Sequence, residues 1–160
     1  MSAQLAYKIN QGKAYAGLIY AQAPHDIVSR AVETTAGIGF GVAVTRGTDP
    51  DTQAILAGSA SFLGITIRSL EKEGAANTAA VQWNETETAG ILREGYIWAV
   101  CPTGCVPGDA VNYVDDTGVL DSGAATAGET QLDGANWETT AAAGELAVIR
   151  LETSAVTAGS

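Results

Sequence analysis

Residues 106–120, Val-Pro-Gly-Asp-Ala-Val-Asn-Tyr-Val-Asp-Asp-Thr-Gly-Val-Leu, constrain this chain more than any other stretch. Pro107 fixes φ near the value a turn's second position needs, and Gly108 tolerates the positive φ of the third. Ala110, Asn112 and Val114 then alternate with Val111, Tyr113 and Asp115, the period of two that a strand imposes. Asp116-Thr117-Gly118 supplies another turn, and Val119-Leu120 opens a further apolar run. Turns bracket a short strand, and no set of catalytic residue types lies between them. A chain written in such units folds into a small all-β shell.

The same grammar recurs. Residues 14–20 (Ala-Tyr-Ala-Gly-Leu-Ile-Tyr) read as a short strand or extended arm, and Ala23 to Asp26 as a break at Pro24. Ile27 to Thr35 reads as a strand, followed by the turn-prone Ala36-Gly37. Ile38 to Val44 alternates apolar side chains with Gly or Ala, and glycine on one face lets a bulge or another backbone approach. Thr45 to Thr52 is expected to be an exposed loop, Ile55-Leu56 a brief apolar element of either type, and Phe62 to Ile67 a strand. Ser69 to Asn77 is expected to be a loop. Ala79 to Trp83, Glu94 to Cys101, Ala135 to Glu138 and Glu145 to Leu151 complete the strands; within Glu94–Cys101, Tyr96 and Trp98 alternate with Ile97 and Ala99. Residues 121–134 are small and polar and read as a linker or long loop, and Thr153 to Ser160 as a frayed tail.

No stretch of about a dozen residues sustains helical spacing. Short strands punctuated by turns predict an all-β fold, a small β-sandwich or barrel-like domain with long loops and an extended N-terminal arm. The expected division is an N-terminal arm or edge strand over 1–20, a single β-rich domain over 21–152 and a flexible C-terminal tail over 153–160. Small residues supply much of the 46% hydrophobic content, 19 residues are Gly and only two are Phe. Such a core is thin, and partners are expected to add stability.

No run reaches the ~20 apolar residues of a membrane span, so no membrane association is expected. The start, Met-Ser-Ala-Gln-Leu-Ala-Tyr-Lys, lacks a charged region followed by an apolar one, so synthesis in a host cytoplasm is expected. Net charge is −10. Up to Arg93 the chain carries seven Lys/Arg against eight Asp/Glu; from Glu94 onward it carries only Arg150 against ten acids. The balances are −1 and −9. So acidic a second half repels phosphate backbones, which disfavours nucleic acid as a partner, and it marks a solvated or partner-facing surface.

Residues able to carry chemistry are few. His25, the single histidine, follows Pro24 without a nucleophile-elbow pattern and reads as a surface-loop residue. One His and two Cys cannot make an ordinary four-ligand zinc site. Asp49/Asp51 and Asp115/Asp116 lack the spacing of an EF-hand loop and read as turn formers. Cys101-Pro-Thr-Gly-Cys105 is too wide for a redox Cys-x-x-Cys pair, and Pro102 and Gly104 predict a tight hairpin turn between the thiols. The pair reads as free thiols in a reducing cytosol or as a candidate disulfide, Cys101–Cys105, closed later in an oxidising medium. Asn84-Glu85-Thr86 matches the glycosylation sequon, which carries no meaning without secretion. Trp83, Trp98 and Trp137 are core anchors or interface residues, or alternatively stack on a sugar. No phosphate loop or dinucleotide fingerprint occurs. Neither enzymatic activity, nor a metal, nor a cofactor is expected.

A series of pieces, in order, resembles the structural cement (capsid decoration) proteins of tailed-phage heads. They are Ile38 to Val44, Phe62-Leu63-Gly64-Ile65-Thr66, the Gly95 to Val100 strand, Gly108-Asp109-Ala110-Val111-Asn112-Tyr113-Val114 running to Gly118-Val119-Leu120, and Ala135 to Thr140 leading to Leu146-Ala147-Val148-Ile149-Arg150-Leu151. The resemblance spans about residues 17–151, and it is the order of these pieces in a chain of this length that carries it. It implies a mostly β virion protein that binds the outer capsid surface as a homo-oligomer, contacts the major capsid protein and performs no catalysis. A trimer is favoured over a dimer, because local three-fold positions are natural joints between capsomers. Such a protein stabilises the expanded shell by binding that state better than its precursor. Lys8, Lys13, Tyr15 and Leu18 are the expected capsid-contact residues of the arm. The alternative is a virion surface β-domain that binds a host glycan.

Overall fold

The computed structural model describes residues 14–20, 23–56, 61–72 and 81–152. Lys8, Lys13 and the rest of 1–13, the tail 153–160, most of the loop expected after Ser69 and the start of the strand expected over 79–83 lie outside the described residues. Among the described residues the chain forms β1 (Asp26–Val32), β2 (Ala43–Arg46), β3 (Gln53–Leu56), β4 (Phe62–Thr66), β5 (Thr88–Cys101), β6 (Ala110–Val114), β7 (Leu120–Ser122), β8 (Glu129–Trp137) and β9 (Glu145–Leu151). The fold is all-β and barrel-like. The sheet order is β1-β3-β2-β4-β5-β9-β8-β6-β7, and an additional β1–β5 pairing closes the first five strands into a ring. A closed ring leaves its strands no free edge.

Strand β5 serves both halves of the molecule. Its first part pairs with β1 and, at Ile91 and Leu92, with β4. Its second part, Gly95–Cys101, pairs with β9. The changeover falls at a bulge, where Asp26 pairs Glu94 but Ile27 pairs Leu92, leaving Arg93 without a partner residue on β1. A bulge bends its strand and re-aims the side chains beyond it. After it, Ile97, Ala99 and Cys101 point inward and are fully buried, whereas Tyr96, Trp98 and Val100 face out. The far strands β9-β8-β6-β7 curl over these inward residues until β7 packs back against β5. Trp137 of β8 is fully buried, and its indole Nε1 donates to the Asp121 carbonyl of β7 at 3.2 Å.

The core divides in step with the sheet. One cluster gathers Ile97, Tyr113, Leu132, Trp137 and Ile149 with Ile65 and Leu92; the other gathers Val32, Ile38, Val44, Leu63 and Ile91 inside the closed ring. Glycine makes part of this packing possible. Gly41 takes φ of +69°, and a Cβ there would lie 2.8 Å from the Gly17 nitrogen, so the backbones of two segments meet where a side chain would separate them.

Several expectations need correction. Residues 121–134 are not a linker, because β7 and most of β8 lie within them and only a short bend separates the two. Thr130 and Leu132 are buried there, and the Thr130 hydroxyl donates to Asp115 Oδ1 at 2.6 Å, which offsets the cost of burying it. Ile38 to Val44 is not one strand: Ile38 makes an isolated bridge to Trp83, and β2 begins at Ala43. Thr45, expected in an exposed loop, is buried within β2. Ile55-Leu56 belongs to β3.

The connection from β2 to β3 is held by Glu33, whose carboxylate accepts from the Thr48 amide at 2.7 Å and the Thr48 hydroxyl at 2.5 Å. Those bonds favour the charged form and hold the Glu33 carboxyl below its ordinary pKa.

Candidate interaction surfaces

The residues that chemistry would use are taken up by structure. His25 is exposed, with Nδ1 3.0 Å from the Ala23 carbonyl oxygen. Asp49 accepts from the Asp51 amide at 3.1 Å and the Thr52 hydroxyl at 2.7 Å, bonds that lower its pKa and close a turn. Among the described residues no group of His, Cys, Asp and Glu is arranged to hold a metal ion.

The cysteines do not flank a hairpin. Cys101 pairs with Glu145 and Cys105 with Ala141, so both face the same antiparallel segment and the chain does not reverse between them. Both are buried free thiols. The Cys105 sulfhydryl donates to the Thr139 carbonyl at 3.4 Å. Burial, with the Cys101 thiol beside it, pushes the Cys105 pKa up to about 12.

What remains for function is surface. Segment 17–20 lies along the outer edge of the second part of β5: the Gly17 amide donates to the Trp98 carbonyl, the Trp98 amide to the Leu18 carbonyl and the Tyr20 amide to the Tyr96 carbonyl, at 2.8–2.9 Å. This pairing carries Tyr20 onto the outward face of β5. Its ring meets Trp98 edge-on, centroids 5.5 Å apart, and lies 6.5 Å from Tyr96. Register adds Val100 opposite Leu146. The result is a stripe of Tyr20, Tyr96, Trp98, Val100 and Leu146, of which Tyr20 is 51% and Val100 40% exposed. Its flanking cation, Arg150, is matched by Glu138 and Glu152. Aromatic, charge-poor patches are typical of the centres of protein interfaces. The period-two pattern of β5 already placed Tyr96 and Trp98 on one face; nothing local in the sequence pointed to Tyr20 or Leu146.

A separate cluster lies at the start of the described chain. The Arg68 guanidinium sits 4.9 Å from the Tyr15 ring centroid and 5.0 Å from that of Phe40. Phe40 meets Trp83 edge-on at 5.9 Å, and the Lys72 ammonium lies 5.1 Å from the Trp83 ring while pairing with Glu87. Tyr15, expected in the arm, is therefore stacked at its root and remains 63% exposed. Leu18 is half-buried in the edge pairing.

The described residues form an all-β body with an exposed aromatic surface. The chain belongs to the phage structural cement protein family, whose model, described as Structural cement protein (E217 gp24/Pam3 gp6), matches residues 3–152. Its role is structural: it decorates the capsid and associates with the capsid lattice of the virion. Among solved structures, a chain from the capsid of Myoviridae phage XM1 shares the fold, with a TM-score of 0.72 and 16% identity, covering 94% of this chain and 98% of that one. No curated protein matches significantly. The glycan-binding alternative gains no support from the family, and Trp137, one of its tryptophans, is fully buried.

Proposed function

We propose that the protein binds the outside of the expanded phage head and holds neighbouring major capsid subunits together, acting without catalysis. Membership of the cement family carries this reading, and the aromatic stripe on β5 is a surface suited to it. A ligand that binds the expanded lattice better than the precursor stabilises the expanded state in proportion to that difference. Several weak contacts on one oligomer combine through effective concentration. The N-terminal arm over 1–20, with Lys8, Lys13, Tyr15 and Leu18, extends the contact to the capsid or to a neighbouring protomer. A homo-oligomer, with a trimer favoured over a dimer, matches the three-fold joints of a capsid.

Purified protein added to expanded, undecorated capsids tests this. It is expected to bind and to raise the temperature at which the shells come apart, and a version lacking residues 1–12 is expected to show lower occupancy. Failure of the full chain to bind would defeat the cement reading. Unchanged occupancy of the shortened chain, with its fold intact, would remove the arm from it.

A further inference from the structure

The charge partition of the sequence becomes spatial in the fold. The strands from β6 to β9 and the second part of β5 carry a charge of −9 over residues 94–152, since Arg150 faces ten acids there. A cation beside aromatic rings, Arg68, lies in the other half. Its guanidinium is held between Tyr15 and Phe40, and no carboxylate among the described residues pairs with it. Tyr15 in this cluster is 63% exposed, and Leu70, close after Arg68 in sequence, is 74% exposed. An exposed tyrosine stacked on an arginine that has no counter-ion among the described residues combines residue types enriched where interfaces draw most of their energy.

A receptor of matching chemistry exists on the same molecule. Past the end of the β5–β9 pairing, an open depression of about 430 Å³ is lined by Thr140, Gly144, Glu145 and Leu146. Glu145 is exposed and has no cation partner among the described residues. Leu146 supplies an apolar wall. The depression thus offers an anion beside apolar surface, and the Arg68 cluster offers a cation beside an aromatic ring.

We propose that two copies of this protein meet here, with Tyr15 and Arg68 of one copy seated in the Glu145–Leu146 depression of the next. Arg68 pairs with Glu145, and the Tyr15 ring covers Leu146 at the end of the stripe, leaving Tyr20, Tyr96 and Trp98 for the capsid. Unlike patches in contact make a heterologous interface, which closes into a ring where the rotation between copies allows it, and the trimer proposed above is such a ring. Facing opposite charges steer an encounter and fix its register, and this pairing brings Arg68 to the acid-rich half of its neighbour. The contact is between copies and needs no capsid, so its failure and the failure of the cement reading are separate results.

Sedimentation of the full chain tests it. The wild type is expected to sediment as an oligomer at low ionic strength and to shift toward monomer as salt rises, because exposed ion pairs are screened. Arg68→Glu and Glu145→Arg, each alone, are expected to weaken self-association by about tenfold or more, and the double variant Arg68→Glu/Glu145→Arg, which restores an opposite pair at every joint, to recover it. Arg68 also props Tyr15 and Phe40, so its variant is checked by thermal melting; Glu145 makes no such contact, and its variant keeps the test decisive even where Arg68→Glu fails to fold. A monomeric wild type, an oligomer insensitive to Glu145→Arg, or a folded Arg68→Glu/Glu145→Arg double variant that stays dissociated would each overturn the proposal. Capsid binding by a protein that sediments as a monomer would do the same, assigning the Arg68 cluster to the capsid instead.

Discussion

At Gly118 the backbone takes φ of +66°, and an added Cβ would stand 2.3 Å from the Ala43 carbonyl oxygen. The Ala43 amide donates to the Gly118 carbonyl at 2.8 Å, so this turn joins the β6–β7 connection to β2. Gly118→Ala is therefore expected to lower unfolding free energy by about 1–3 kcal/mol, the cost of a strained φ and a backbone clash. Urea unfolding checks it, and an unchanged midpoint would show that the turn relaxes freely. Cys105 makes a different prediction. Its thiol is neutral in both folded and unfolded chains below the ordinary thiol pKa near 9, so it adds no pH dependence there. Between about 9 and about 12 the unfolded chain releases the proton while the folded one keeps it, so stability falls as pH rises through that window. A buried, protonated thiol is also a poor nucleophile. Native protein is expected to react slowly with a thiol reagent at neutral pH, and denatured protein to yield both cysteines. Recovery of none after denaturation would show the Cys101–Cys105 disulfide in place.

Among the elements, β5 was the most legible and β8 the least. Large alternating side chains announced the second part of β5, because period-two patterning survives whichever partner strand arrives. The first part opens with Thr88, Ala89 and Gly90, of which Ala and Gly have weak strand preference alone, and it is ordered by pairing with β1. β8 begins Glu-Thr-Gln-Leu-Asp-Gly, residues that suit a loop as well as a strand. It becomes a strand because β6 lies alongside it and Asp115 receives the Thr130 hydroxyl, a long-range condition no local window contains. The stripe on β5 carries a prediction at this scale. Tyr20 is half exposed at the edge of the sheet, so Tyr20→Asp is expected to leave the melting temperature nearly unchanged. It is expected to weaken capsid binding by about tenfold or more, as loss of an aromatic interface anchor does. Full occupancy by the folded variant would remove the stripe from the contact.

For the whole molecule, the closed ring of β1 to β5 and the curled extension of β9-β8-β6-β7 divide the chain near Glu94, the position where its charge balance changes from −1 to −9. The sequence alone determined the all-β class and the uneven charge, because side-chain period, turn residues and net charge are local or additive properties. Its family resemblance, too, rests on short pieces whose order can be read along the chain. Tertiary structure alone decided that β5 is shared, that the cysteines face one segment instead of flanking a turn, and that Tyr20 joins Trp98 while Tyr15 joins Arg68. Each depends on residues far apart in sequence being brought together by backbone pairing and burial. Where such contacts fall is set by the register of the sheet, and register is a property of strand pairs, not of any one strand.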